Sequence, residues 1–183
     1  ELKRAVEKWR MRDLSREKIK YLFIDGVNFR IGIAGSIELV PALVAIGARE
    51  DGTKLVLFLQ GGARLQFAML PMNFLPKGSS ADYVLAGTWG KTANTEALTQ
   101  GKTRVVWDGQ SCAYRRMPAQ EELDLDPGAA YLHITSNETI QGIQISSEPD
   151  SGNVPLFCDS SSDFLHRKVP VERYGVLYAC AQK

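Results

Sequence analysis

The sequence predicts an α/β protein: a mostly parallel sheet flanked by helices over residues 54–183, preceded by a stretch of antiparallel β-meander. Two observations carry the first part. Apolar, β-branched runs recur at TRVVWD (103–108), AAYLHIT (129–135), VPLFCD (154–159) and GVLYACA (175–181). Helical stretches separate the earlier ones, the pattern of strands buried on both faces. The third observation concerns the start of the chain. There KYLFID (20–25), NFRIGIA (28–34) and PALVAIGA (41–48) follow one another across polar or glycine-containing turns, as hairpin-linked strands do.

Taken in order, residues 1–12 are rich in Glu, Lys and Arg, with Leu2, Val6 and Trp9 at helical spacing. The three meander runs come next, with Asp25 expected at the end of the first strand. After the turn EDGTK, KLVLFL (54–59) reads as another strand. GGARLQFAMLPMNFL (61–75) reads as a glycine turn entering a helix, with Pro71 expected to kink it or end its first part. ADYVLAG (81–87) is a strand and KTANTEALTQ (91–100) a helix. The only shift of composition falls at 52–60, which sets a boundary between residues 1–53 and 54–183.

Composition narrows the function. With 183 residues, 44% hydrophobic and 23% charged, the chain is an ordinary globular one. A net charge of +1 argues against an extended nucleic-acid-binding surface. Cys112, Cys158 and Cys180 form no CxxC and are odd in number, which fits reduced thiols in the cytoplasm. No apolar run reaches the roughly 20 residues of a membrane span, and the charged start has no signal-peptide character. The first residue is Glu1 and the last is Lys183, so a fragment or a fusion of fragments is expected.

Four features carry chemistry. Gly61-Gly62-Ala63-Arg64 lies between a strand and a helix, where bare backbone, helix dipole and guanidinium together suit an anion. The same glycines also suit a plain turn. Trp89 follows a strand immediately, and its indole can cover a flat ring or serve as an ordinary packed aromatic. Asp159 ends VPLFCD, at the carboxyl end of a buried strand, where α/β ligands bind. It can hold a ring nitrogen or cap the SSSDF segment that follows. Lys183 follows GVLYACAQ; a buried lysine forms Schiff bases, whereas a terminal one is normally solvated.

Several blocks resemble one family in order and spacing. LFLQGGARLQFAMLPMNFL, ADYVLAGTWGKTANTEA, AAYLHITSNETIQGIQ and PDSGNVPLFCDSSSDFLHRKVPVERYGVLYACAQK are similar to the cofactor-binding half of phosphoserine aminotransferases. The resemblance covers residues 54–183. It implies part of the large domain of a fold-type I enzyme using pyridoxal 5'-phosphate (PLP). That family moves an amino group between L-glutamate and 3-phosphohydroxypyruvate in serine biosynthesis, as a cytoplasmic homodimer. It implies Ala63, Arg64 and Gln182 at the cofactor phosphate, Trp89 on the ring and Thr139 at the phenolic oxygen. Asp159 would pair with the ring nitrogen, and Lys183 would form the Schiff base and shuttle the substrate proton. Cys180 departs from the family's usual glycine and would crowd the strand end. The isolated chain is expected to be inactive, because the resemblance stops at the lysine.

Residues 9–52, including WRMRDLSREKIKYLFIDGVNFRIG, resemble mutator-type insertion-sequence transposases instead. There the segment opens an RNase H-like domain acting on DNA, and Asp25 would match the first of its metal-binding carboxylates. The other carboxylates have no counterpart in this chain. A single acid cannot build that metal site, so the expected role of Asp25 is a turn residue before Gly26.

Overall fold

A computed structural model describes residues 62–164 and 166–180 in full, together with the backbone of four strands before them. Those strands are β1 (Ile19–Leu22), β2 (Asp25–Ile33), β3 (Ser36–Arg49) and β4 (Lys54–Phe58). All their pairings are antiparallel and all run through β3. Two expectations need correction here. Leu22 pairs with Gly47 and Asp25 with Val44, one register along β3, so Asp25 lies neither at the end of a strand nor in a turn before Gly26, which itself pairs with Leu43. β1 and β2 lie along β3 in that one register, β1 at residues 47–49 and β2 from Val44 to Ser36, so the turn expected between the runs 20–25 and 28–34 is absent and β2 passes straight through it. The helix expected over 1–12 lies outside the described residues.

The second sheet is parallel throughout. Its strands are β5 (Ser80–Leu85), β6 (Lys102–Asp108), β7 (Leu132–Thr135), β10 (Leu156–Asp159) and β11 (Tyr174–Tyr178). Their spatial order is β11-β10-β7-β5-β6. A small antiparallel pair, β8 (Asn137–Glu138) and β9 (Ile143–Gln144), follows β7 directly.

Helix α1 (Ala63–Phe74) precedes β5, and α2 (Thr88–Leu98) makes the crossover from β5 to β6. α1 buries Gln66, Phe67, Leu70 and Pro71, a stripe at helical spacing. Pro71 does not end the helix, which runs on to Phe74, and Pro71's own carbonyl accepts the Leu75 N–H at 3.1 Å. A proline lacks one donor but keeps its acceptor, and full burial of its ring compensates. Among the described residues no helix is long and apolar enough to cross a membrane.

The core beneath α1 is aromatic. Tyr131 stacks on Phe157 at 4.4 Å, and Tyr83 stacks on His133 at 5.0 Å. Phe67 and Phe74 of α1 meet this layer edge-on, at His133 and Phe157 respectively. Such pairs add to the area they bury. The Tyr83 and Tyr131 hydroxyls lie 2.7 Å apart and satisfy one another. Burial raises both phenols above their ordinary range, Tyr131 to about 12, so both stay neutral. Tyr83→Phe should therefore cost about 1–3 kcal/mol, because it orphans the Tyr131 hydroxyl. The Tyr83→Phe/Tyr131→Phe double variant should regain part of that loss in urea unfolding. A double variant losing the sum of the two single costs would refute the pairing.

Candidate functional site

A parallel sheet whose order reverses offers a crevice where the connections leave in opposite directions. Here the reversal lies between β5 and β7: β6 adds to one side of β5 and β7 to the other. A cleft of about 380 Å³ opens at the carboxyl ends of these strands. Each wall comes from a different strand end. Trp89 follows β5, Thr139 follows the short β8 just beyond β7, and Asp159 closes β10. The start of α1 supplies Gly62, Ala63 and Arg64.

The N-terminus of α1 is open. Gly62 caps it with extended backbone and no side chain, and a Cβ built there would meet nothing within 4 Å. No acidic residue sits in the first turn. The leading N–H groups of a helix have no intrahelical partner, so this rim suits an anion, with the exposed Arg64 beside it.

Asp159 is the acid of the cleft and is 4% exposed. Its Oδ1 accepts from Ser161 twice, from N–H at 2.9 Å and from Oγ–H at 2.6 Å. One oxygen thus caps the 161–164 turn, as one reading of the sequence expects, while the residue also lines the cleft. Burial lifts its pKa to about 6, partly offset by the Ser161 bonds and reinforced by Glu138 and Asp163. Ser161 Oγ also accepts the Cys180 N–H at 2.9 Å, which ties the end of β11 to the acid.

Trp89 is 37% exposed, so its indole is open to a ligand. Thr139 is exposed and lines the same cleft. Cys180, whose bulk was expected to crowd the strand end, lines the same cleft. Of the sequence-predicted residues, the structure brings together Ala63, Arg64, Trp89, Thr139 and Asp159; Gly61, Gln182 and Lys183 lie outside the described residues. Among the described residues no group of three or more His, Cys, Asp or Glu is placed to hold a metal ion.

Sequence reasoning missed several lining residues. Thr135 pairs in register with Asp159, and its buried Oγ1 has no partner among the described residues. Asn137 Nδ2 donates to Ser162 Oγ at 2.7 Å, and both line the cleft. Position was the available signal: Thr135 ends an apolar strand as Asp159 does.

Comparison with known proteins now decides the family. The aminotransferase class-V profile matches residues 42–183. The chain belongs to the class-V aminotransferase family. Among class-V aminotransferases it is 48% identical over 146 residues to the phosphoserine aminotransferase of Niallia circulans, covering 80% of this chain and 40% of that protein. It is 52% identical over 128 residues to that of Laribacter hongkongensis, covering 70% and 35%. The phosphoserine aminotransferase structure from Bacillus circulans subsp. alkalophilus superposes with a TM-score of 0.64 at 48% identity, over 66% of this chain and 33% of that one. A PLP-bound phosphoserine aminotransferase from Trichomonas vaginalis gives 0.60 at 37% identity, over 67% and 35%. The expected α/β class with a mostly parallel sheet therefore holds. The chain spans about two fifths or less of the length of these relatives.

Proposed function

We propose that this chain supplies the PLP-binding half of a cytoplasmic phosphoserine aminotransferase. The whole enzyme would be a homodimer that moves an amino group between L-glutamate and 3-phosphohydroxypyruvate in serine biosynthesis. The observation that supports this best is the convergence of an anion rim, an open indole and a buried acid on one cleft at the sheet's reversal point. The residues present fit a flat ring that carries a phosphate at one end and a basic nitrogen at the other.

Bound there, PLP supplies an electron sink for the substrate α-carbon. The chain's own residues would do the rest. Arg64, the Ala63 end of α1 and Gln182 bind the phosphate. Trp89 covers one ring face, and Thr139 donates to the phenolic oxygen. Asp159 holds a proton on the ring nitrogen. Lys183 anchors the cofactor through its amine and then moves the proton at the substrate α-carbon. Residues 42–52 fall within both the transposase-like segment and the class-V match, and we favour the aminotransferase for them. That takes the end of the segment out of the DNA-acting alternative, and we carry that alternative and a metal role for Asp25 no further.

Titrating purified chain with PLP tests the reading. A new visible absorbance band should appear, and Lys183→Ala should abolish it. Trp89→Ala should weaken affinity about 5–10-fold, the size of an aromatic stacking contribution. Absence of any band in the parent chain would overturn the cofactor assignment. A coupled assay with L-glutamate and 3-phosphohydroxypyruvate, with Lys183→Ala as control, tests the substrates.

A further inference from the structure

Helix α2 begins without a cap of its own. Gly87 precedes it and has no side chain to offer. The missing acceptor comes from far along the chain. Glu138, fully buried, takes the Trp89 N–H on Oε2 at 2.9 Å and the Gly90 N–H on Oε1 at 2.7 Å. Gln141 completes the clamp: its Oε1 accepts the Thr88 N–H at 3.2 Å, and its Nε2 donates to Thr88 Oγ1 at 2.9 Å. Glycines leave room for this. A Cβ on Gly87 would collide with Gln141 Oε1 and sit 2.7 Å from Glu138 Cδ, and one on Gly90 would sit 3.2 Å from Glu138 Oε1.

We propose that Glu138 is the positioning residue for Trp89, fixing the indole over the cleft by gripping the backbone on which it stands. The inference rests on the reading that Trp89 covers the cofactor ring. Three further observations support it. Glu138 forms no ion pair among the described residues, so the N–H groups and helix dipole are what stabilise its charge. It immediately precedes Thr139, so one carboxylate joins the wall after β5 to the wall after β7, across the reversal point of the sheet. Its charge also reaches the floor of the cleft, where it opposes ionisation of Asp159.

Glu138→Gln isolates the role. The amide keeps the shape but has one acceptor atom where the carboxylate has two, so one N–H faces an NH₂ group. The test uses the 183-residue chain carrying Trp9→Phe and Trp107→Phe, which leaves Trp89 as the sole tryptophan. Without cofactor, Glu138→Gln should raise acrylamide quenching of Trp89 about twofold while the far-ultraviolet circular dichroism stays unchanged. PLP affinity should fall about tenfold, the scale of one charge-assisted hydrogen bond. Glu138→Asp, which keeps both acceptors on a shorter stem, should recover part of each effect. Should Glu138→Gln fail to fold, Gln141→Ala removes only the Thr88 half of the clamp and should move both readouts in the same direction by less. Unchanged quenching and affinity in a folded variant, with PLP bound by the parent, would overturn the inference alone. If the parent takes up no PLP, the cofactor reading falls, and the quenching result still decides whether Glu138 holds Trp89.

Discussion

Asp159→Asn should leave the chain more stable near neutral pH and almost unable to hold PLP. The folded-state pKa of Asp159 is about 6, above its ordinary 3.8, chiefly because burial strips its charge of water. Between about pH 4 and 6 the folded chain therefore keeps a proton that the unfolded chain has released. Stability falls as pH rises through that window and stays reduced above it, by roughly 2–3 kcal/mol at one pKa unit per 1.36 kcal/mol. Asparagine removes this cost, and its carbonyl can still accept both Ser161 bonds. Thermal unfolding near pH 7.5 should rise by about 4–8 °C, and the gain should vanish near pH 4. The same change leaves a bound ring cation without its counter-charge, which should weaken PLP by about 100-fold or more. A variant less stable than the parent near pH 7.5 would show that the acid is not held against a desolvation cost.

His133 should produce the opposite pH dependence and a larger one. It is 1% exposed, stacked on Tyr83, with Nε2 2.8 Å from the Tyr178 hydroxyl and Nδ1 without a partner among the described residues. Burial lowers its pKa from 6.5 to about 3, so the folded chain holds it neutral. Between those values the unfolded chain binds a proton that the folded chain does not. Stability is lost as pH falls through that window, by roughly 4–5 kcal/mol at its acid end. Asp159 returns only part of this between about pH 6 and 4. His133→Gln should cost about 1–2 kcal/mol near pH 7 through lost packing and a poorer bond to Tyr178. It should nevertheless be the more stable form near pH 4. Urea unfolding across pH would show the two curves crossing; parallel curves would refute the assignment.

The parallel sheet was legible because its strands are buried on both faces and so read as continuous apolar runs, LFCD and GVLY among them. The lining of the cleft was legible where a residue sits at or just after a strand end, as at Asp159 and Trp89. What escaped was set by distance along the chain. Nothing local marks Glu138 as the cap of a helix that begins at Thr88. Pro71 misled for a related reason: its local effect is to break a helix, but burial of its ring outweighs one absent donor. The run of β2 through residues 26 and 27 was equally hidden, since DGVN reads as a turn and only pairing with β3 holds it extended.

The strand order has a consequence for how the chain can be made. Once β5, β6 and β7 have paired, β10 joins beside β7 and β11 beside β10. No later strand has to wedge between two that are already bonded. A chain emerging from the ribosome can therefore lay this sheet down one strip at a time, β7 covering the free side of β5 and each later strip the edge left by the one before. Two edges stay able to recruit a stray strand from another molecule: β6, which no later described strand covers, and, on the other side, the edge of the newest strand. Among the described residues that edge finally rests at Tyr174–Tyr178, the strand that leads straight to Lys183.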